Sequence, residues 1–260
     1  MTFLLAAISL GLFALPLLKS GAQTPQGRIV ATGFDGVGVL VGFVITVAVA
    51  ALTSPIFGLA FVAAVLLHEC ASALACRHVG HDIARVRLVP LPRLAPPRVD
   101  RRFSAALEES FVALYAPALS IVPMVMAFAL FHLLAAPLPS VAAGMRALAI
   151  MLGAFNFVML LPFLPFAGGR VIRAVSDAFW PQMGVTVTVF MTAAFASAAL
   201  RDHSIAMGVL AAAGLQSLIH KRAPHAQRLT PNEALLVMAG YAFTLAVHFM
   251  GGYWLIKGLI

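Results

Sequence analysis

The stretch LLHECASALACRHVGH, residues 66–81, closes a long apolar run with a histidine–glutamate pair and then turns basic. The neighbours of His68 and Glu69 within this run are mostly apolar or small. Ionisable side chains in an apolar helix are costly, are usually paired, and often mark a functional site. The interpretation of the whole chain therefore depends on the residues around His68 and Glu69.

The composition is that of a polytopic membrane protein. Of the 260 residues, 62% are hydrophobic and 10% are charged, and the mean hydropathy is +1.00, whereas soluble domains are about 25% charged. The formal net charge of +8 is attributed to arginines in loops that face an anionic leaflet. We therefore expect the lipid bilayer as the environment, and no nucleic acid as a partner.

Windows of about 20 apolar residues predict about eight transmembrane helices. The first is interpreted as a retained helix, with a cleaved signal peptide as the alternative, because no basic region precedes it. The predicted fold class is all-α and polytopic, with N-terminal helices at 1–54, a core at 55–177 and C-terminal helices at 178–260. The predicted spans are residues 2–18, 37–52, 56–76, 111–135, 141–165, 179–200, 205–220 and 233–255.

The arginines predict the orientation. The polar loop at residues 77–109 contains seven arginines and is placed in the cytoplasm by the positive-inside rule. Only Arg201 and Lys257 then fall on the opposite side. We expect a multi-pass protein of a bacterial inner membrane, with these further basic residues also on the cytoplasmic side: Lys19, Arg28, Arg170, Arg173, Lys221, Arg222 and Arg228.

Within this loop, the sequence predicts a short strand or hairpin at the membrane edge. Arg85 and Arg87 alternate with Val86 and Leu88, which is the period of a β-strand. Several prolines from position 90 onward end that pattern.

The pair His68–Glu69 begins a zinc-binding pattern but does not complete it. In H-E-x-x-H, histidines at i and i+4 share one helix face and bind one metal, and the glutamate acts on the metal-bound water. The i+4 position here is Ser72, whose hydroxyl is a poor zinc ligand unless it is ionised.

Three segments together resemble the site-2 proteases, a family of intramembrane zinc metalloproteases. The first runs from the apolar helix with His-Glu through the basic turn to the predicted strand. The second is FVALYAPALS, residues 111–120, with its Ala-Pro pair. The third is NFVMLLPFLPFAGGRVI, residues 156–172, where the family has an Asn, a proline-rich apolar stretch and then Asp-Gly-Gly-Arg. The resemblance extends over residues 56–172 and implies a site-2-protease-like core.

The resemblance also implies roles for individual residues. The family holds zinc with two histidines of the first motif and the aspartate of the third segment, and those places are His68, Ser72 and Ala167 here. Only His68 retains a metal ligand, while Glu69 stands at the place of the general base. The places implied in substrate binding are Asn156, Pro162, Pro165, Gly168 and Gly169.

The loss of two ligand places predicts a non-catalytic relative that binds or scaffolds another transmembrane protein. No cofactor is expected under this interpretation. His68 and Glu69 are then a hydrogen-bonded pair, with Glu69 protonated and with Ser72 and Asn156 as candidate partners. One alternative is an active intramembrane metalloprotease that holds zinc with atypical ligands and cleaves a transmembrane substrate. A further alternative is a small transporter or channel component.

Overall fold

The structure is a computed structural model that describes residues 2–23, 28–87, 99–219 and 226–259. Within these ranges the chain forms nine α-helices and two short β-strands. In chain order these are α1 Thr2–Gln23, β1 Arg28–Thr32, α2 Gly36–Leu52, α3 Pro55–His78, β2 Ile83–Arg87, α4 Ala106–Leu134, α5 Pro139–Met159, α6 Ala167–Phe179, α7 Pro181–Asp202, α8 Ile205–Ile219 and α9 Pro231–Leu259.

The helices are compatible with an integral membrane protein, as the composition predicts. Five of the described helices are long and apolar enough to cross a membrane, namely α3, α4, α5, α7 and α9. Shorter apolar helical segments at Leu4–Pro16, Gly36–Leu52 and Ile205–Ile219 coincide with the remaining predicted spans. The total of eight spans and the cytoplasmic placement of the arginine loop stay predictions.

Helices α3, α4 and α5 form the centre of the bundle. Between 50% and 56% of the apolar window of each is buried, whereas only 6% of the window of α7 is buried. Helix α9 packs against α4, α5 and α6. The segment with His68 and Glu69 therefore lies in the most enclosed part of the protein.

Helices α5 and α9 cross with their backbones in contact. A Cβ atom added to Gly153 would lie 2.3 Å from the backbone nitrogen of Gly252, and one added to Gly252 would lie 2.3 Å from the backbone nitrogen of Ala154. Only glycine permits such an approach, and small residues at helix crossings are typical of membrane bundles.

Two side chains of α9 also bind the backbone of neighbouring elements. His248 Nε2 donates to the carbonyl oxygen of Pro117 in α4 at 2.8 Å, and the Tyr241 hydroxyl donates to the carbonyl oxygen of Leu160 at 2.7 Å. Hydrogen bonds between helices stabilise membrane bundles because few other polar partners are available.

The predicted strand is present as β2. Its ladder partner is distant in sequence, and a single antiparallel bridge joins Ala84 of β2 to Val99. β2 pairs in parallel with β1, from Arg28 opposite Ile83 to Thr32 opposite Arg87. A parallel pair needs a crossover connection, and α2 and α3 provide it. The sheet therefore ties the segment between α1 and α2 to the cytoplasmic loop predicted after α3.

The predicted span at residues 141–165 is shorter in the structure. Helix α5 ends at Met159, and α6 begins at Ala167. Pro162 and Pro165 lie between them, and proline cannot continue a helix because it has no N–H donor and restricts the residue before it. The short helix α6, which hydropathy windows miss, buries Val171 and Val175 and carries Arg173 and Asp177 on its more polar side.

Parts of two sequence predictions lie outside the described residues. The prolines after Pro90 and the end of the predicted strand beyond Arg87 belong to residues 88–98, and Lys221 and Arg222 belong to residues 220–225.

The glycine contact between α5 and α9 gives a first prediction. Gly153→Ala places a methyl group against the backbone of α9, so we expect a loss of about 1–3 kcal/mol in the free energy of unfolding, the usual cost of overpacking. The matched control is Gly144→Ala in the same helix, whose new Cβ meets nothing closer than Ile56 Cδ1 at 4.0 Å. Thermal unfolding in detergent measures both, and equal midpoints for the two variants would contradict the crossing.

Candidate membrane-embedded polar site

The site is built around two consecutive residues of α3. His68 is 2% exposed and Glu69 is 0% exposed. Consecutive residues of a helix point about 100° apart, so the two side chains face different elements. His68 faces α5, whereas Glu69 faces β2.

His68 is hydrogen-bonded to Asn156 of α5. Asn156 Nδ2 donates to the carbonyl oxygen of Leu152 at 2.9 Å, so its Oδ1 is the atom that lies 2.8 Å from His68 Nδ1. An amide oxygen only accepts, and His68 Nδ1 is therefore the protonated nitrogen. This bond joins the histidine to one of the two partners that the sequence suggested.

The imidazole ring is also fixed by packing. The ring of Phe155, the residue before Asn156, meets the ring of His68 edge to face, with centroids 5.4 Å apart. Two consecutive residues of α5 thus hold the histidine, one by a hydrogen bond and one by a ring contact.

Glu69 is paired with Arg87, the last residue of β2. The backbone N–H and the Nε of Arg87 each lie 3.3 Å from Glu69 Oε2, and Nη2 lies 3.5 Å from Oε1. Arg87 is 11% exposed, so the guanidinium reaches from near the surface to a fully buried carboxylate. A guanidinium and a carboxylate match in charge and in planar geometry.

Small side chains occupy the two positions to which the resemblance assigns further metal ligands. Ser72 lies one helical turn after His68 and is fully buried. Ala167 is the first residue of α6 and belongs to an apolar cluster that includes Leu160, Val171 and Tyr241. A methyl group offers no atom to a metal.

The residues present do not fit a catalytic zinc ion, which takes about three protein ligands and a water. His68 supplies one ligand atom, and Glu69 is engaged by a guanidinium. Among the residues that the structure describes, no three His, Cys, Asp or Glu side chains lie close enough together to hold one metal.

Other histidines and acids in this part of the chain have contacts of their own. The ring of His78 packs on Phe111 with centroids 5.3 Å apart. Asp177 lies 4.0 Å from Arg173. His81 Nδ1 lies 3.3 Å from Asp100 Oδ1. Desolvation raises the pKa of Asp100, but hydrogen bonds from backbone amides and from His81 outweigh it, so the pKa lies below its usual value.

The remaining predicted site residues shape the connection between α5 and α6. Pro162 and Pro165 lie in this connection. A Cβ added to Gly168 or Gly169 would clash with its backbone, 2.0 Å from the Leu160 oxygen and 2.1 Å from the Phe163 carbonyl carbon respectively. The two glycines thus allow α6 to start directly against the connection.

Two more elements hold the same connection in place. The backbone N–H of Leu164 donates to the Ser217 hydroxyl of α8 at 3.0 Å, and Tyr241 of α9 binds Leu160. The connection is therefore fixed from α6, α8 and α9 together.

An apolar groove of about 450 Å³ runs between α1, α3 and α4. Its lining includes Leu67 and Ala71 of α3, which stand one residue before and three residues after His68. One turn of α-helix, 5.4 Å long and 10–12 Å across, fills about 400–600 Å³. The groove therefore has room for about one turn, or for the side chains along one face of a longer helix.

Arg87 is the site residue that sequence reasoning missed. The alternation of Arg85 and Arg87 predicts a strand, but nothing in the sequence indicates that β2 folds back onto α3. The signal available in the sequence is an acidic residue in an apolar helix followed, within 20 residues, by a strand that carries arginine.

No family model, no curated protein and no solved structure matches this chain. The resemblance to the site-2 proteases therefore rests on the motifs of the sequence.

The Glu69–Arg87 pair gives a second prediction. Arg87→Gln leaves a fully buried carboxylate without its guanidinium, so we expect a loss of about 3–5 kcal/mol in the free energy of unfolding. Glu69→Gln costs less, because Arg87 is near the surface and can reach water. The variant with both substitutions loses less than the sum of the two single losses.

The matched control is Arg85→Gln, which removes the same charge from the same strand. We expect it to change the unfolding midpoint much less than Arg87→Gln does. Additive losses in the double variant, or an Arg87→Gln protein as stable as the control, would show that the pair does not support the fold.

Proposed function

We propose that this protein is a non-catalytic relative of the site-2 proteases that binds a transmembrane segment of another membrane protein. The observation that carries the proposal is the engagement of the polar site by its own chain. His68 binds Asn156, and Glu69 binds Arg87. In an enzyme of this kind the histidine would hold the metal and the glutamate would act on its water.

The filled ligand places support the same conclusion. Ser72 and Ala167 replace both other ligands implied by the resemblance, and Ala167 packs within an apolar cluster. The surrounding framework is kept, because the two glycines of α6 still pack against the connection that contains Pro162 and Pro165.

The apolar groove between α1, α3 and α4 is the proposed contact surface for the partner. It adjoins the helix of the polar site at Leu67 and Ala71. Its volume matches the side chains of one helix face. Its lining is mostly apolar and includes the small residues Gly11, Ala14 and Ala71, and small residues favour close helix packing in a membrane. The partner is therefore a transmembrane helix that packs against the groove and is not enclosed by it.

A photo-crosslinking amino acid at Leu67 tests this proposal in native membranes. Leu67 lines the groove and is 41% exposed, whereas the control position Leu59, on the same helix, is 72% exposed and lies outside the groove. We expect a discrete crosslinked transmembrane protein from position 67 and none from position 59. We also expect this product to be weaker when Ala71→Leu fills the groove.

The length of the crosslinked partner separates binding from proteolysis. A non-catalytic protein leaves its partner at the same length whether or not the chain is present. A shortened partner that depends on Glu69 would contradict the proposal and favour the active metalloprotease, and the absence of any groove-specific product would contradict the binding role.

A further inference from the structure

We infer that Arg87 takes the place of a metal cation opposite Glu69 and, by its charge, keeps divalent cations out of the polar site. This inference goes beyond the proposed function and does not depend on which partner the protein binds. It gives a second reason, besides the absence of ligands, why the site would not bind a metal.

The charges around the buried carboxylate of Glu69 are already balanced. Glu69 carries one negative charge and Arg87 one positive charge, so the pair is neutral. His68 is hydrogen-bonded to an amide, and Ser72 and Asn156 carry no charge. A Zn²⁺ ion added here would give the site two uncompensated positive charges in an apolar bundle, where repulsion between charges is stronger than in water.

Both carboxylate oxygens of Glu69 are also occupied by Arg87. Both oxygens of Glu69 are contacted by the guanidinium, and Oε2 also receives the backbone N–H of Arg87. A carboxylate held in this way is directed at β2. The Glu69 carboxylate is therefore not available to accept a proton from a metal-bound water.

The sheet fixes the backbone from which the guanidinium of Arg87 extends. Arg87 is paired with Thr32 of β1, and the Thr32 hydroxyl lies 3.3 Å from the carbonyl oxygen of Val86. The backbone of Arg87 is therefore held in place from β1 as well as from Glu69. The positive charge of Arg87 is therefore a fixed part of the site.

The inference predicts that restoring the ligands is not enough to restore a metal site. Ser72→His together with Ala167→Asp supplies the two missing ligand types. With Arg87 still present, bound Zn²⁺ would leave a formal charge of +1 from the ion, Arg87, Glu69 and the introduced aspartate. Adding Arg87→Gln to these two substitutions brings the same sum to zero.

The two purified variants are compared in zinc affinity, by titration, and in zinc content, by elemental analysis. We expect the triple variant to bind Zn²⁺ at about one ion per chain, and at least about ten-fold more tightly than the variant that retains Arg87. We also expect Zn²⁺ to raise the unfolding midpoint of the triple variant, because the ion then neutralises Glu69. Equal affinities with and without Arg87, or no zinc uptake by the triple variant, would overturn the inference.

A control separates the position of the charge from the net charge of the protein. Arg85→Gln in the same background removes one positive charge from the same strand, and we expect zinc affinity close to that of the variant that retains Arg87. An increase as large as that from Arg87→Gln would mean that any arginine of β2 has the same effect, and would also overturn the inference. These results are independent of the crosslinking experiment, so each proposal fails separately.

Discussion

The buried carboxylate of Glu69 is the constraint on which this structure depends. A charge at 0% exposure in the centre of an apolar bundle needs a partner of opposite sign. Arg87 supplies it from β2, and β1 holds that strand in place. One residue earlier, His68 turns to α5 and binds Asn156. Two adjacent residues thus connect α3 to β2, the next element of the chain, and to α5, where Asn156 lies 88 residues after His68.

The connection between α5 and α6 is held by contacts that need no metal. The connection between α5 and α6 is set by the glycines of α6, by Tyr241 and by Ser217, and none of these contacts involves a metal ligand. The fold of this region therefore depends on backbone packing and hydrogen bonds. Ala167, at a position to which the resemblance assigns a ligand, belongs to the local apolar core.

The sequence predicts the membrane character and the strand at Arg85 and Arg87, because both follow from local periodicity and composition. It also indicates Asn156 as a partner of the buried pair. It does not predict the parallel partner of β2, which comes from a distant segment, or the Glu69–Arg87 pair, which depends on how β2 folds back onto α3. Helix α6 is missed for another reason: it has 13 residues, fewer than a spanning window requires. The eight spans, the orientation and the relation to the site-2 proteases stay predictions from the sequence.

The central claim is that the polar site satisfies itself from its own chain, without a metal. The zinc content of the native protein, purified without chelators and compared with a His68→Ala variant, tests this claim most directly. The account predicts far less than one zinc per chain in both proteins, with no difference between them. About one zinc per chain in the native protein, lost in the His68→Ala variant, would contradict it and would direct attention to ligands outside this site.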